Sequence, residues 1–279
     1  MQSRNPALRN ALKQAEADSA AGSSAGSPPP PTGMPVMPGA TGTVGTAGVT
    51  LQLPDVIAKT GLLFGILLVG SVVGWSTALT QPWIWIGAAV IALVLGLVNA
   101  FKRAVSPPLI MAYAIFEGIM LGGISQFYTQ FAQANAPAGS TPQPLVLQAV
   151  MGTLVAFGVM LFLYSSKIIK VNGTFKKVFF IALISYAVIG LISLVAAMFG
   201  VAGGLGFYGM GGLGIALCLF GVALAAFSLV MDFESISQGI AYGLPERESW
   251  RMGFGLMVTL VWLYLEILRL LAIVSANSR

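Results

Sequence analysis

The stretch "SLVMDFESISQGI", residues 228–240, starts inside a long apolar run and then introduces Asp232 and Glu234. If the run stops at Asp232, the acid marks a helix end. If it continues to Ile240, the acid lies within whatever surrounds the helix. The next punctuation, "GLPERES" at 243–249, comes only after Ile240, with Arg247 and Arg251 at or just beyond it. These turn and charge signals place the end of the segment near Ile240. Asp232 then sits inside an apolar helix, and its surroundings decide its meaning.

Those surroundings are lipid. The chain has 279 residues, 57% hydrophobic and only 8% charged, with a mean hydropathy of +0.87. Soluble domains carry about 25% charged residues. A single core cannot hide this much apolar surface, so the chain reads as all-α and membrane-spanning. Seven apolar segments are long enough to cross, at roughly 57–79, 83–101, 109–131, 145–166, 178–199, 212–240 and 251–275.

Residues 1–54 differ. "NPALRNALKQAEAD" (5–18) suits a short amphipathic helix, and residues 19–50 are rich in Ala, Gly, Ser, Pro and Thr. That composition cannot bury enough surface to fold and predicts a disordered tail. The domain organisation expected is a tail over 1–54 and a seven-helix membrane domain over 55–279. No apolar stretch follows the first charges as in a signal peptide.

The basic residues give an orientation. Lys59, Lys102, Arg103, Lys167, Lys170, Lys176, Lys177, Arg247 and Arg251 all fall at one set of alternate ends, whereas the connections near 80–82, 132–144 and 200–211 carry none. The positive-inside rule then predicts a multi-pass cell-membrane protein with its N-terminus in the cytoplasm and its C-terminus outside. The formal charge of +5 is spread between segments rather than gathered in a patch, which argues against nucleic acid as a partner.

The chain has no histidine and one cysteine, Cys218. Ser-His triads, His-ligated metals and intramolecular disulfides are excluded. No cofactor is expected, and no nucleophile with a base points to an enzyme. A photoreceptor lysine is missing from the seventh segment. Gly61 and Gly65, Gly70 and Gly74, and Gly118 and Gly122 are spaced four apart, which favours close helix packing within the chain over a dimer interface. Oligomeric state is not specified.

Five ionisable residues lie away from segment ends: Glu117, Asp232, Glu234, Glu266 and Arg269. A charge at the bilayer centre costs about 2.5–3.5 kcal/mol even on the lenient insertion scale, so such groups face the interior, pair, or carry a proton. Ser228, Asp232, Ser235 and Gly239 share a stripe, and Glu234 projects from nearly the opposite side. Gly255, Thr259, Trp262, Glu266 and Arg269 form a second stripe, with Glu266 and Arg269 one turn apart and able to pair. By the helical rise, Glu117 and Asp232 lie at one level, about 12 Å from the inner end, and Glu266 near 22 Å. Three acids with one cation must share protons or a cation, so Asp232, Glu266 and Glu117 are candidate pH-sensing carboxylates, Arg269 an ion-pair partner, and Ser228 and Ser235 a polar lining.

"SPPLIMAYAIFEGIMLGGIS" (106–125), "SLVMDFESI" (228–236) and "LVWLYLEILRLLAI" (260–273) resemble the Bax inhibitor-1, or transmembrane Bax inhibitor motif, family, and more closely its bacterial branch with a long N-terminal tail. The resemblance spans about 56–275. It implies a bundle of six helices around a central seventh and a pH-dependent calcium leak gated by two acids that share protons. Carried over, those acids fall on Asp232 and Glu266, where Ca²⁺ would bind transiently. The depth count keeps Glu117 as the alternative partner of Asp232.

The expectation is therefore a pH-sensitive, calcium-permeable leak channel whose partners are the bilayer, calcium and protons. The alternative is a membrane regulator that binds another membrane component, such as a quality-control protease, through the tail and the small-residue faces. A proton-coupled transporter ranks below both, because no internal repeat is evident.

Overall fold

The computed structural model describes residues 49–135, 144–169, 171–201, 205–209 and 211–277. The expected tail and its amphipathic helix at 5–18 lie outside the described residues. Seven long helices follow one another: α1 Leu53–Thr77, α2 Pro82–Phe101, α3 Pro107–Asn135, α4 Leu145–Ser165, α5 Gly173–Met198, α6 Gly212–Ala241 and α7 Ser249–Asn277. Each is long and apolar enough to span a membrane.

The helix ends have local causes. α1 and α2 carry proline in their first turns, where the missing N–H costs nothing. Asn172 caps α5 by accepting the Phe175 N–H at 2.7 Å. At the end of α6, Gly243 adopts φ +62°. Its N–H reaches the Ile240 carbonyl at 3.0 Å, and the Leu244 N–H reaches Gly239 at 3.1 Å. This paired pattern is a Schellman cap, and it fixes the end of α6 at Ala241. Asp232 is thereby nine residues inside the helix, about 14 Å at 1.5 Å per residue.

α7 is the most buried span and packs along α1, α3, α4 and α6. The outer helices are less even than a ring of six. α2 rests on α3, and α5 reaches α7 through Tyr186 against Trp262, with ring centroids 6.2 Å apart.

Two of the three glycine pairs build the α1–α3 seam. A β-carbon on Gly70 would stand 2.6 Å from the Ile115 carbonyl oxygen, and one on Gly122 would stand 2.7 Å from the Trp75 nitrogen. Gly74 and Gly118 meet backbone in the same way, so these backbones touch without side chains between them. Gly61 and Gly65 face open space, so their spacing serves no contact within the chain.

At the end of the bundle that carries the basic residues, three connections meet. Thr50 bridges to Pro245, the Leu51 N–H donates to the Leu244 carbonyl at 2.7 Å, and Leu51 is buried. Lys59 Nζ donates to Glu246 Oε1 and Ser249 Oγ, both at 2.7 Å. Arg251 Nη2 donates to the Arg103 carbonyl at 2.7 Å. Residues 49–51 therefore pair with the connection between α6 and α7. Leu51 is buried there through its contact with the α6–α7 connection, which spacing along the chain does not show.

Candidate functional site: two carboxylate centres on one helix seam

α6 and α7 pack side by side, and their small residues let polar side chains enter the seam. A β-carbon on Gly255 of α7 would stand 3.7 Å from Asp232 Oδ1. Thr259, one turn further on and 6% exposed, is the hydroxyl neighbour of the Asp232 carboxyl. Asp232 Oδ2 is buried with no hydrogen-bond partner among the described residues. A buried acceptor left in this state costs about 1–3 kcal/mol, more if charged.

The predicted stripe on α6 divides. Ser228 is half-buried and Gly239 is buried against Leu51, Leu244 and Met252. Ser235 is exposed, and its hydroxyl donates to the Met231 carbonyl at 2.8 Å. The i+3 step from Asp232 swings Ser235 off the centre of the seam, so it does not continue the lining. Glu234, on the other face, has protein partners: the Tyr164 hydroxyl of α4 lies 3.1 Å from its Oε2 and 2.9 Å from Ser237 Oγ. Gln238 donates to its other oxygen.

Glu266 belongs to a different centre. It is 3% exposed, and its Oε2 would lie 2.7 Å from a β-carbon on Gly221 of α6. Gly221 and Asp232 are eleven residues apart, about 16 Å along the helix. Among the described residues no hydrogen bond or ion pair joins Asp232 to Glu266, and in this arrangement the two cannot hold one calcium ion between them. Glu266 lies seven residues, two turns, beyond Thr259.

Arg269 supplies the charge that Glu266 needs. Its Nη1 donates to Oε1 and Oε2 at 3.2 and 3.1 Å, and Trp262 Nε1 donates to Oε1 at 3.1 Å. Arg269 Nε donates to the Tyr128 hydroxyl of α3 at 3.0 Å, and the guanidinium lies 4.3 Å from the centroid of the Tyr208 ring. Tyr208, in the connection between α5 and α6, donates to the Tyr186 hydroxyl at 3.0 Å. The predicted Glu266–Arg269 pair thus lies within an aromatic shell drawn from α3, α5 and the α5–α6 connection. Tyr128, Tyr186 and Tyr208 carried no signal in the sequence, because no spacing links them to the seventh helix.

Glu117 is 8% exposed on the α3 face that meets α7. One turn to one side, Tyr113 meets Phe254 edge-on at 5.0 Å. Two turns to the other, Ser125 and Tyr264 share a hydrogen bond at 2.8 Å. The Tyr113 hydroxyl is the polar neighbour of Glu117. Glu117 is therefore flanked by contacts to α7 residues 254 and 264, the stretch that also faces Asp232 from α6. Among the described residues no hydrogen bond joins Glu117 to Asp232.

A helical, seven-span membrane protein with carboxylates buried along its central helix is the class this geometry defines. The chain matches the Bax inhibitor 1 like family over residues 5–276 and belongs to it. No curated protein matches the chain.

Proposed function

We propose that this protein is a pH-sensitive, calcium-permeable leak channel of the cell membrane, with its N-terminus in the cytoplasm and its C-terminus outside. The observation that carries the reading is Asp232: a carboxylate within the α6–α7 seam, one oxygen of which has no hydrogen-bond partner among the described residues. With a proton, the group is neutral and the seam closes on Gly255 and Thr259. Without one, the charge requires water or a cation beside it. Deprotonation then parts α6 from α7 and exposes a hard oxygen ligand suited to Ca²⁺. Glu117, flanking α7 at the same level, is the second proton-bearing acid. Glu266 holds the far end of the seam through its pair with Arg269 and acts as a pivot.

Family membership supports a membrane protein of this type. The test is calcium flux from liposomes containing the full chain across a pH series. The proposal expects flux to rise as pH rises; a flux independent of pH contradicts it.

A second reading is favoured by one contact. Residues 49–52 pair with the α6–α7 connection, so the chain enters α1 beside the seam that holds Asp232. A partner gripping residues 1–48 would act on that connection, as in a regulator of another membrane protein. Deletion of residues 1–48 separates the two: loss of a co-purifying partner with unchanged flux supports the regulator.

A further inference from the structure

The shell around Arg269 lines an open pocket of about 380 Å³. One wall is α5, through Leu183, Ala187 and Gly190, spaced to share a face. The opposite wall is α7, through Trp262, Glu266 and Arg269, and Tyr208 closes one side. Its volume falls within the range of small-ligand sites.

The polar groups in this cavity are unevenly satisfied. Both oxygens of Glu266 are engaged. Among the described residues, Arg269 uses Nε and Nη1 and leaves Nη2 without a partner. Tyr186 accepts the Tyr208 proton, and among the described residues its own hydroxyl makes no further hydrogen bond, although it and Glu266 Oε2 both lie against Gly221. Glu266 is the acceptor of this cavity and is already engaged, so the groups left to meet a ligand are donors, which suit a ligand that brings oxygens. Arg269 and Tyr186 would serve a phosphate, since guanidinium and hydroxyl donors match its geometry.

Charge narrows the class. Glu266 and Arg269 cancel, so a purely anionic ligand gains little from the site as a whole. The rings of Trp262 and Tyr186 provide faces that attract an ammonium. Depth narrows it again. Tyr208 lies in the connection outside the spans, while Ile184 and Leu191, next in sequence to the lining residues Leu183 and Gly190 of α5, are each 63% exposed. Those apolar side chains form a bed for acyl chains.

We propose that this cavity binds a phosphate ester bearing an ammonium group, as the headgroup of a zwitterionic phospholipid. The phosphate bonds Arg269 Nη2 and the Tyr186 hydroxyl, and the ammonium lies against Trp262 and Tyr186. The site shares Glu266 and Arg269 with the pivot of the leak reading but involves neither Asp232 nor a calcium ion, and a lipid-dependent unfolding temperature tests it without a flux measurement.

The test uses the purified full chain in detergent and follows its unfolding temperature. Three additions are compared: phosphatidylethanolamine, phosphatidylglycerol with the same acyl chains, and soluble phosphoethanolamine. Two variants accompany them. Tyr186→Phe removes only the hydroxyl. Gly190→Leu fills the cavity from a position where a β-carbon would meet only Tyr208 Oη at 3.9 Å.

The proposal expects phosphatidylethanolamine to raise the unfolding temperature, with at least about tenfold weaker response to phosphatidylglycerol. It also expects about tenfold weakening in Tyr186→Phe and loss of the response in Gly190→Leu. If soluble phosphoethanolamine reproduces the effect and Gly190→Leu removes it, the chemistry stands and the source is a free headgroup. Equal responses to the two lipids, or a full response in a folded Gly190→Leu protein, would overturn it.

Discussion

Arg269 donates through Nη1 to both carboxylate oxygens of Glu266, one helical turn away on α7, at 3.2 and 3.1 Å. The carboxylate is 3% exposed and the guanidinium side chain 22%. Removing one member strands the other. Arg269→Gln is expected to lose about 3 kcal/mol or more, because a buried carboxylate is left without its cation. Glu266→Gln together with Arg269→Gln is expected to recover part of that loss. Unfolding in detergent, run as a double-mutant cycle, measures the coupling.

The α1–α3 seam gives a contrast between glycines of identical spacing. Gly118→Val drives a side chain into the α1 backbone and is expected to abolish folding or lower the unfolding temperature sharply. Gly61→Ala meets nothing within 4 Å and is expected to be neutral or to stabilise by about 0.5–1 kcal/mol through helix propensity. Expression level and thermal unfolding of the two variants check this.

Leu51 is 2% exposed against the α6–α7 connection, so Leu51→Ala is expected to cost about 2–4 kcal/mol. Deleting residues 1–48 removes no contact of Leu51 with Leu244 and is expected to leave the unfolding temperature unchanged. A further cut through Gln52 is expected to lower it.

Much of the fold was legible because lipid imposes a coarse rule: every span must be apolar and helical. The seven helices and the end of α6 followed from punctuation such as "GLP" and from the basic residues at alternate ends. Helical periodicity also placed Gly255, Thr259, Trp262, Glu266 and Arg269 on one face, and this stripe does meet α6 and its neighbours. Periodicity does not say which residue lies opposite. That Asp232 meets Gly255 while Glu266 meets Gly221 depends on the register of two helices, which periodicity does not fix. The tyrosines around Arg269 come from α3, α5 and a connection, and their convergence is set by packing alone. Ser235 shows the limit in the other direction: it shares the stripe by spacing, yet the width of the seam stops short of it.

The central claim is that Asp232 carries the proton that holds the α6–α7 seam closed. Calcium flux from liposomes, measured from pH 5 to pH 8 for the natural chain and for Asp232→Asn, tests it most directly. Asparagine keeps the shape and cannot ionise. The account predicts that the natural chain leaks more calcium as pH rises, and that Asp232→Asn stays at the low, acid-side rate at every pH. An Asp232→Asn protein that is folded and still gains flux with rising pH would contradict the account.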